Sequence, residues 1–291
     1  MSKGRFVYVI LHYNTIEDTK RCVASIQEKL GGENYEIVIV DNGSPNGSGK
    51  EIQELFGGKE RIHVILNEKN EGFARGNNVG FRYAKYELKA DFIVMLNSDT
   101  LILHDNVQKL AEEEYESSKC GVIGPTIKTP NLSFNVNPGP AKISCLAVQI
   151  RKLLTSYAYW LLTYINLDEY IHTHFGINYK RQMKMSGTVK KVERVENVQL
   201  HGCFWIFTPA FIEKYDGLCD KTFLYGEEDI LFLRCLKSKL KTVYLPSIEI
   251  YHKEDSSTDS FMFNKPATKR RFIYKYGSAS KWVLIKEMLS K

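Results

Sequence analysis

Over the first 125 residues, short apolar runs alternate with stretches of helical spacing. The runs Phe6–Leu11, Glu36–Val40, Ile62–Leu66 and Phe92–Leu96 are continuous rather than alternating, which fits strands covered on both faces. Between them, Ile16–Leu30, Lys50–Phe56, Phe73–Tyr86 and Asp105–Ser117 carry apolar residues at helical intervals, and Thr15 offers a cap to the first. This pattern predicts an α/β fold with a doubly wound, mostly parallel central sheet flanked by helices, and such sheets bind ligands beyond the carboxyl ends of their strands. The polar residues collect there: His12-Tyr13-Asn14, Asp41-Asn42-Gly43-Ser44, Asn67 through Gly76, and Asn97-Ser98-Asp99.

The pattern changes between about 125 and 195. Pro125, Pro130, Pro138 and Pro140 punctuate a loop, and Ile143–Leu167 reads as one helix with Leu146, Ile150, Leu153, Tyr157, Leu161 and Tyr164 on one stripe. The basic residues Lys180, Arg181, Lys184, Lys190, Lys191 and Arg194 follow. The segment reads as a helical insertion that covers the site, touches a membrane, or supplies a core helix beside solvated charges. Strands are expected at Val198–Phe207, Thr242–Leu245 and Ile248–His252, a helix at Glu228–Lys239, and a helical, basic and aromatic tail from Lys265. The expected organisation is residues 1–255 as the main domain, with a nucleotide-binding half (1–125), the insertion (126–195) and an acceptor-side half (196–255), then a tail over 256–291.

With 291 residues the chain is long enough for a sizeable core, and its net charge of +6 suits an anionic ligand or an anionic membrane face without implying nucleic acid. The six cysteines have neither zinc-site nor redox spacing and read as free thiols of a reducing cytosol. No signal-peptide core and no membrane-spanning run is seen, so the expected location is cytoplasmic, with peripheral contact at the inner membrane face left open.

The rim residues have definite chemistry. Asp99 offers a carboxylate to Mg²⁺ or Mn²⁺, hard ions that prefer oxygen; the plain alternative is a cap for the helix near Asp105. Glu227, Glu228 and Asp229 open a helix. Either one of them faces a cleft as a general base or all three answer the helix dipole. His252 counts as a metal ligand only if it converges on Asp99. The Asn70–Asn78 stretch has glycines for close approach and an Arg and amides for phosphate or base, but is not a dinucleotide fingerprint.

Taken in order, these pieces resemble family 2 glycosyltransferases of the GT-A fold, especially the rhamnosyltransferase-like branch of bacterial surface-polysaccharide synthesis. The matching residues are Tyr13-Asn14, Val40 to Ser44, Asn70 to Ala74 with Asn77-Asn78, Leu96 to Thr100, Gly202-Cys203, Phe223 to Asp229 with Arg234, and His252, spanning roughly 5–125 and 198–255. The resemblance implies an inverting transfer from a nucleotide-diphosphate sugar to a glycan or lipid-linked acceptor, with Mn²⁺ or Mg²⁺ as cofactor. It implies that Asp41 meets the nucleobase with Tyr13 and Asn14 around it. Asn42, Asn70, Gly72, Arg75, Asn97 and Ser98 line the nucleotide and donor, and Asp99 and His252 hold the metal. Two departures stand out. Asn97 replaces the first acid of the family's D-x-D, and Glu228 replaces an Asp, so a slip of one residue makes Asp229 the base instead. Competing readings are a sugar-phosphate nucleotidyltransferase, disfavoured because no glycine follows strand one, and a non-catalytic membrane or partner module.

Overall fold

The computed structural model describes residues 4–30, 34–130, 136–174, 193–253 and 266–290. The elements in chain order are β1 (Phe6–His12), α1 (Ile16–Leu30), β2 (Tyr35–Asp41), α2 (Ser48–Phe56), β3 (Ile62–Leu66), α3 (Phe73–Tyr86), β4 (Phe92–Asn97), β5 (Thr100–Ile102) and α4 (Val107–Ser118). They continue with β6 (Val122–Lys128), α5 (Leu146–Leu162), α6 (Leu167–His174), β7 (Val195–Glu196), β8 (Phe204–Phe207), α7 (Pro209–Lys214), α8 (Glu227–Lys237), β9 (Thr242–His252) and α9 (Pro266–Leu289).

Among the described residues one nine-stranded sheet runs β3-β2-β1-β4-β8-β6-β9-β5, with β7 also on β9. Strands β1, β2, β3, β4, β6 and β9 point one way, while β5, β7 and β8 run against them. The sheet is therefore mostly parallel, with helices on both faces. Strand alternation explains the two layers. In β1, Phe6, Tyr8 and Ile10 join one core with α1, α2 and α4, whereas Val7 and Val9 join the other with α3, α7 and α8.

The structure departs from the sequence pattern in four places. Val198–Phe207 is not a single strand: the His201 amide donates to the Asn137 side chain and the Gly202 amide to Glu228, so strand pairing begins only at Phe204. Two expected strands merge into β9 across Pro246, because the register shift at Pro125/Thr126 absorbs the missing ladder bond. Pro125 accordingly lies inside β6 rather than in a loop. The single helix expected over Ile143–Leu167 divides into α5 and α6 at Asn166, which is left-handed (φ 54°).

The apolar stripe of α5 does not enter the core. Of the expected stripe, Ile150, Tyr157, Leu161 and Tyr164 are exposed while Leu146 and Leu153 are half-buried, and Leu154 rather than Leu153 completes the exposed face, so the core-helix reading of this segment is corrected. Helix α9 packs against both α5 and α8. Of the basic segment, only Arg194 lies within the described residues, paired through two bonds with the buried Glu114. No described helix is long and apolar enough to cross a membrane. All six cysteines are free thiols, and burial pushes Cys120 up to about 11 and Cys235 up to about 12.

Candidate functional site

A cleft of about 370 Å³ opens at the carboxyl ends of β1, β2 and β4. Strand ends supply one rim: Leu11 near the end of β1 and Tyr13 just past it, Asn42 after β2, and Asn97, Ser98 and Asp99 at the end of β4. Asn70, Gly72 and Phe73 come from the loop that opens α3. The other rim is the Phe223–Glu228 turn into α8, joined by His201, Gly202 and Cys203 before β8, by His252 at the end of β9, and by Phe272 of α9.

Asn42 braces the loop that opens α3. Its amide nitrogen donates to Asn70 Oδ1 and the Gly72 carbonyl, and its amide oxygen accepts from Asn67 Nδ2 and the Glu71 amide. Gly72 fixes the spacing of the two rims. Its φ is +85°, and a Cβ there would stand 2.3 Å from the Phe223 carbonyl oxygen. The next amide, Phe73 N–H, donates to that same oxygen at 2.7 Å.

Asp99 does not cap a helix: β5 and the loop after it separate it from α4. The antiparallel register of β5 on β9 sets Thr100 opposite His252 and brings His252 Nε2 within 3.1 Å of Asp99 Oδ1. Both side chains are nearly buried, and His252 Nδ1 has no hydrogen-bond partner. The chemistry of the donor set, one carboxylate oxygen and one imidazole nitrogen 3.1 Å apart at a cleft wall, fits a divalent cation that takes its remaining ligands from water or a bound oxygen ligand. Among the described residues no cluster of three His, Cys, Asp or Glu forms a complete protein cage.

The three consecutive acids meet three environments. Tyr225 and Gly226 are both left-handed and turn the chain sharply into α8. Glu228 lines the cleft, its Oε1 accepting from the Gly202 amide at 3.2 Å. Glu227 also lines the cleft but is buried; burial first, and the neighbouring Glu228 charge second, push its carboxyl up to about 7. Its Oε1 has no hydrogen-bond partner. Asp229 is outside the cleft lining, and its Oδ1 accepts from Gln199 Nε2 at 2.7 Å. Burial raises its carboxyl above the ordinary Asp range.

Three further candidates lie outside the cleft lining. The Asp41 carboxylate accepts from the Ser44 hydroxyl at 2.5 Å and is packed against Gly49. Asn14 is left-handed and binds the Ser44 hydroxyl through its backbone amide. Arg75 turns away onto the Asp220 carbonyl and toward Glu71, in a separate surface groove.

Sequence reasoning passed over His201 and Phe272. The His201 ring centre is 5.8 Å from that of His252, and its Nδ1 accepts from the Cys203 amide, which leaves the ring proton on Nε2. Burial holds its pKa below the ordinary value. Its place directly before Gly202-Cys203 was the available signal. Phe272 belongs to an aromatic group with Phe223 and Tyr276, which no spacing rule links across that distance in sequence.

The family model described as glycosyl transferase family 2 matches residues 8–181. A low-salt glycan biosynthesis hexosyltransferase of Haloferax volcanii is 29% identical over 133 residues, 45% of this chain and 40% of its own length. A dTDP-rhamnosyl transferase of Shigella flexneri is 31% identical over 103 residues, 35% of this chain and 32% of its own. The matched stretch thus spans well under half of either relative. A crystal structure of GalNAc-T7 with UDP, GalNAc and Mn²⁺ superposes with a TM-score of 0.57 at 12% identity, over 88% of this chain and 45% of that one. That likeness speaks to the fold, which is the GT-A arrangement.

Proposed function

We propose that this chain, which belongs to glycosyl transferase family 2, is an inverting transferase of the rhamnosyltransferase-like branch. It moves a sugar from a UDP- or dTDP-linked donor, dTDP-rhamnose among the candidates, to a hydroxyl of a glycan or lipid-linked acceptor of bacterial surface polysaccharide. The observation that carries this reading is the convergence of Asp99, His252 and Glu228 on one cleft. Residues 1–255 are the catalytic unit of this reading, and the tail over 256–291 contributes Phe272 to the cleft.

Asp99 and His252 would hold Mn²⁺ or Mg²⁺, which supplies charge neutralisation for a departing nucleoside diphosphate. Tyr13, Asn42 and Asn70 shape the donor side, and the Asn97 amide and Ser98 hydroxyl offer polar contacts there. On the other rim, Glu228 accepts the proton of the acceptor hydroxyl as its oxygen attacks the anomeric carbon and the bond to the diphosphate oxygen breaks. Direct displacement inverts the anomeric centre. The Gly202 amide orients the Glu228 carboxylate. Glu227, holding its own proton up to about pH 7, spares Glu228 an adjacent negative charge.

Thermal-shift measurements against a panel of UDP- and dTDP-sugars, with and without Mn²⁺, test the reading. Metal-dependent stabilisation by at least one donor is expected. A panel in which no nucleotide-sugar binds removes it.

A further inference from the structure

Helix α5 turns a long apolar face to solvent. Its inner face is mixed: Gln149 and Ser156 are buried, as is Thr163 just past its end, and Leu153, Tyr159 and Trp160 are half-buried, with Tyr159 stacked on Tyr274 of α9. Ser156 meets Ser278 of α9 through their hydroxyls, and Thr163 takes Arg271. The outward face holds Ile150, Leu154, Tyr157, Leu161 and Tyr164, spaced four, three, four and three residues apart. Leu154 is 63% exposed and Leu161 50%, and Ile165 extends the surface at 70%. A continuous apolar stripe of this kind on a helix surface marks a contact with something apolar.

The charges around it select the partner. Helix α5 carries Arg151 and Lys152 and no acid. Its neighbour α9 carries six cations and one acid, and both acids of α6, Asp168 and Glu169, are taken by Arg270. Arg271 lies over the exposed Tyr164 ring at 4.1 Å, at the edge of the stripe. The half-exposed Trp282 of α9 has Lys286 over its ring, with Lys275 also exposed on that helix. A second copy seated symmetrically on α5 would bring like cations together with no acid on that helix to answer them. An anionic bilayer answers them, and Tyr, Trp and Lys are the side chains that settle at its interface.

We infer that the outer face of α5 is a membrane-contact surface that lies on an anionic lipid bilayer, with its apolar stripe in the headgroup region and the exposed cations Arg151, Lys275 and Lys286 on lipid phosphates. The helix packed behind it, α9, reaches the cleft through Phe272. On the transferase reading above, this docks the acceptor side of the cleft close to the lipid surface.

The test is co-sedimentation with vesicles of phosphatidylcholine plus phosphatidylglycerol and with phosphatidylcholine alone, for the whole chain and for a Leu154→Glu/Leu161→Glu variant. Both leucines are exposed, so the variant should keep its melting temperature and its donor-nucleotide binding. The expected result is binding to the anionic vesicles, weakened by raised salt, and reduced about tenfold or more in the variant. Any of these outcomes overturns the proposal: no binding by the parent chain; equal binding by the variant; or a dimer in light scattering that the variant dissociates, which assigns the face to a second copy. A sharp fall in the variant's melting temperature without lipid also overturns it, because the chain itself would then cover the face. A chain that binds vesicles but no nucleotide-sugar sinks the transferase reading and leaves this one standing.

Discussion

The two rims of the cleft are built on different geometry. On the strand side, Asn42, Asn97 and Asp99 stand at or just past strand ends, and paired strands set their height and neighbours. On the opposite side, Glu227, Glu228 and Asp229 follow one another around the first turn of α8, where each residue rotates by about 100° from the last. Three carboxylates of like chemistry thereby receive three fates: one is buried with its proton retained to about pH 7, one faces the Gly202 amide and the cleft, and one is held by Gln199 outside it. Strand register places a residue by counting, while helix phase turns a shift of one position into a different partner.

The sharpest way to break this contrast is the helix phase. Glu228→Gln should lower kcat about 10²- to 10⁴-fold in transfer assays while the donor dissociation constant stays unchanged. Equal losses from Asp229→Asn would void the assignment by phase. On the strand side, Asp99→Ala should weaken donor-nucleotide binding about 100-fold in the presence of Mn²⁺ and make it insensitive to the metal, as read by calorimetry. Unchanged affinity would separate the Asp99–His252 pair from donor binding.

A smaller effect concerns stability. With an ordinary pKa of 4.5 in the unfolded chain and about 7 in the folded one, Glu227 binds its proton more tightly in the native state. Below pH 4.5 both states are protonated and the residue costs nothing. Between 4.5 and 7 the unfolded chain ionises first, so stability falls as pH rises, and above 7 the loss is complete. Glu227→Gln should flatten that slope in denaturant titrations and raise stability at pH 8 by about 2–3 kcal/mol. A variant with the parent's slope would refute the buried, proton-holding environment. The smallest change expected is in Asp229→Asn, which should alter kcat less than about threefold because its carboxylate meets Gln199 rather than the cleft.

The same distinction explains what could be read from the sequence. Strands β1 to β4 and helices α1 and α3 were legible because buried parallel strands are continuous apolar runs and their helices are regularly amphipathic. So was the gathering of Tyr13, Asn42, Asn97 and Asp99 at one rim. The short strand β5 was hidden, since three residues carry no period, and with it the register that pairs Asp99 with His252. Arg75 reads as a phosphate ligand by residue type, yet its helical phase sends it to the Asp220 carbonyl. The α5 stripe was visible as a stripe, but periodicity says only that a face is apolar and nothing about which way the fold turns it.

The approach of Gly72 to the Phe223 carbonyl carries one more consequence. It acts as a caliper: the gap between the two rims is set by a methyl group that is not there, and the hydrogen bond from Phe73 closes the jaws on it. On the transferase reading proposed above, a bulkier sugar would not find room by spreading this end. Room for it would have to come from the aromatic rings of Phe223 and Phe272, so substrate breadth in this chain is a matter of side-chain rotation at one end and of rigid backbone at the other.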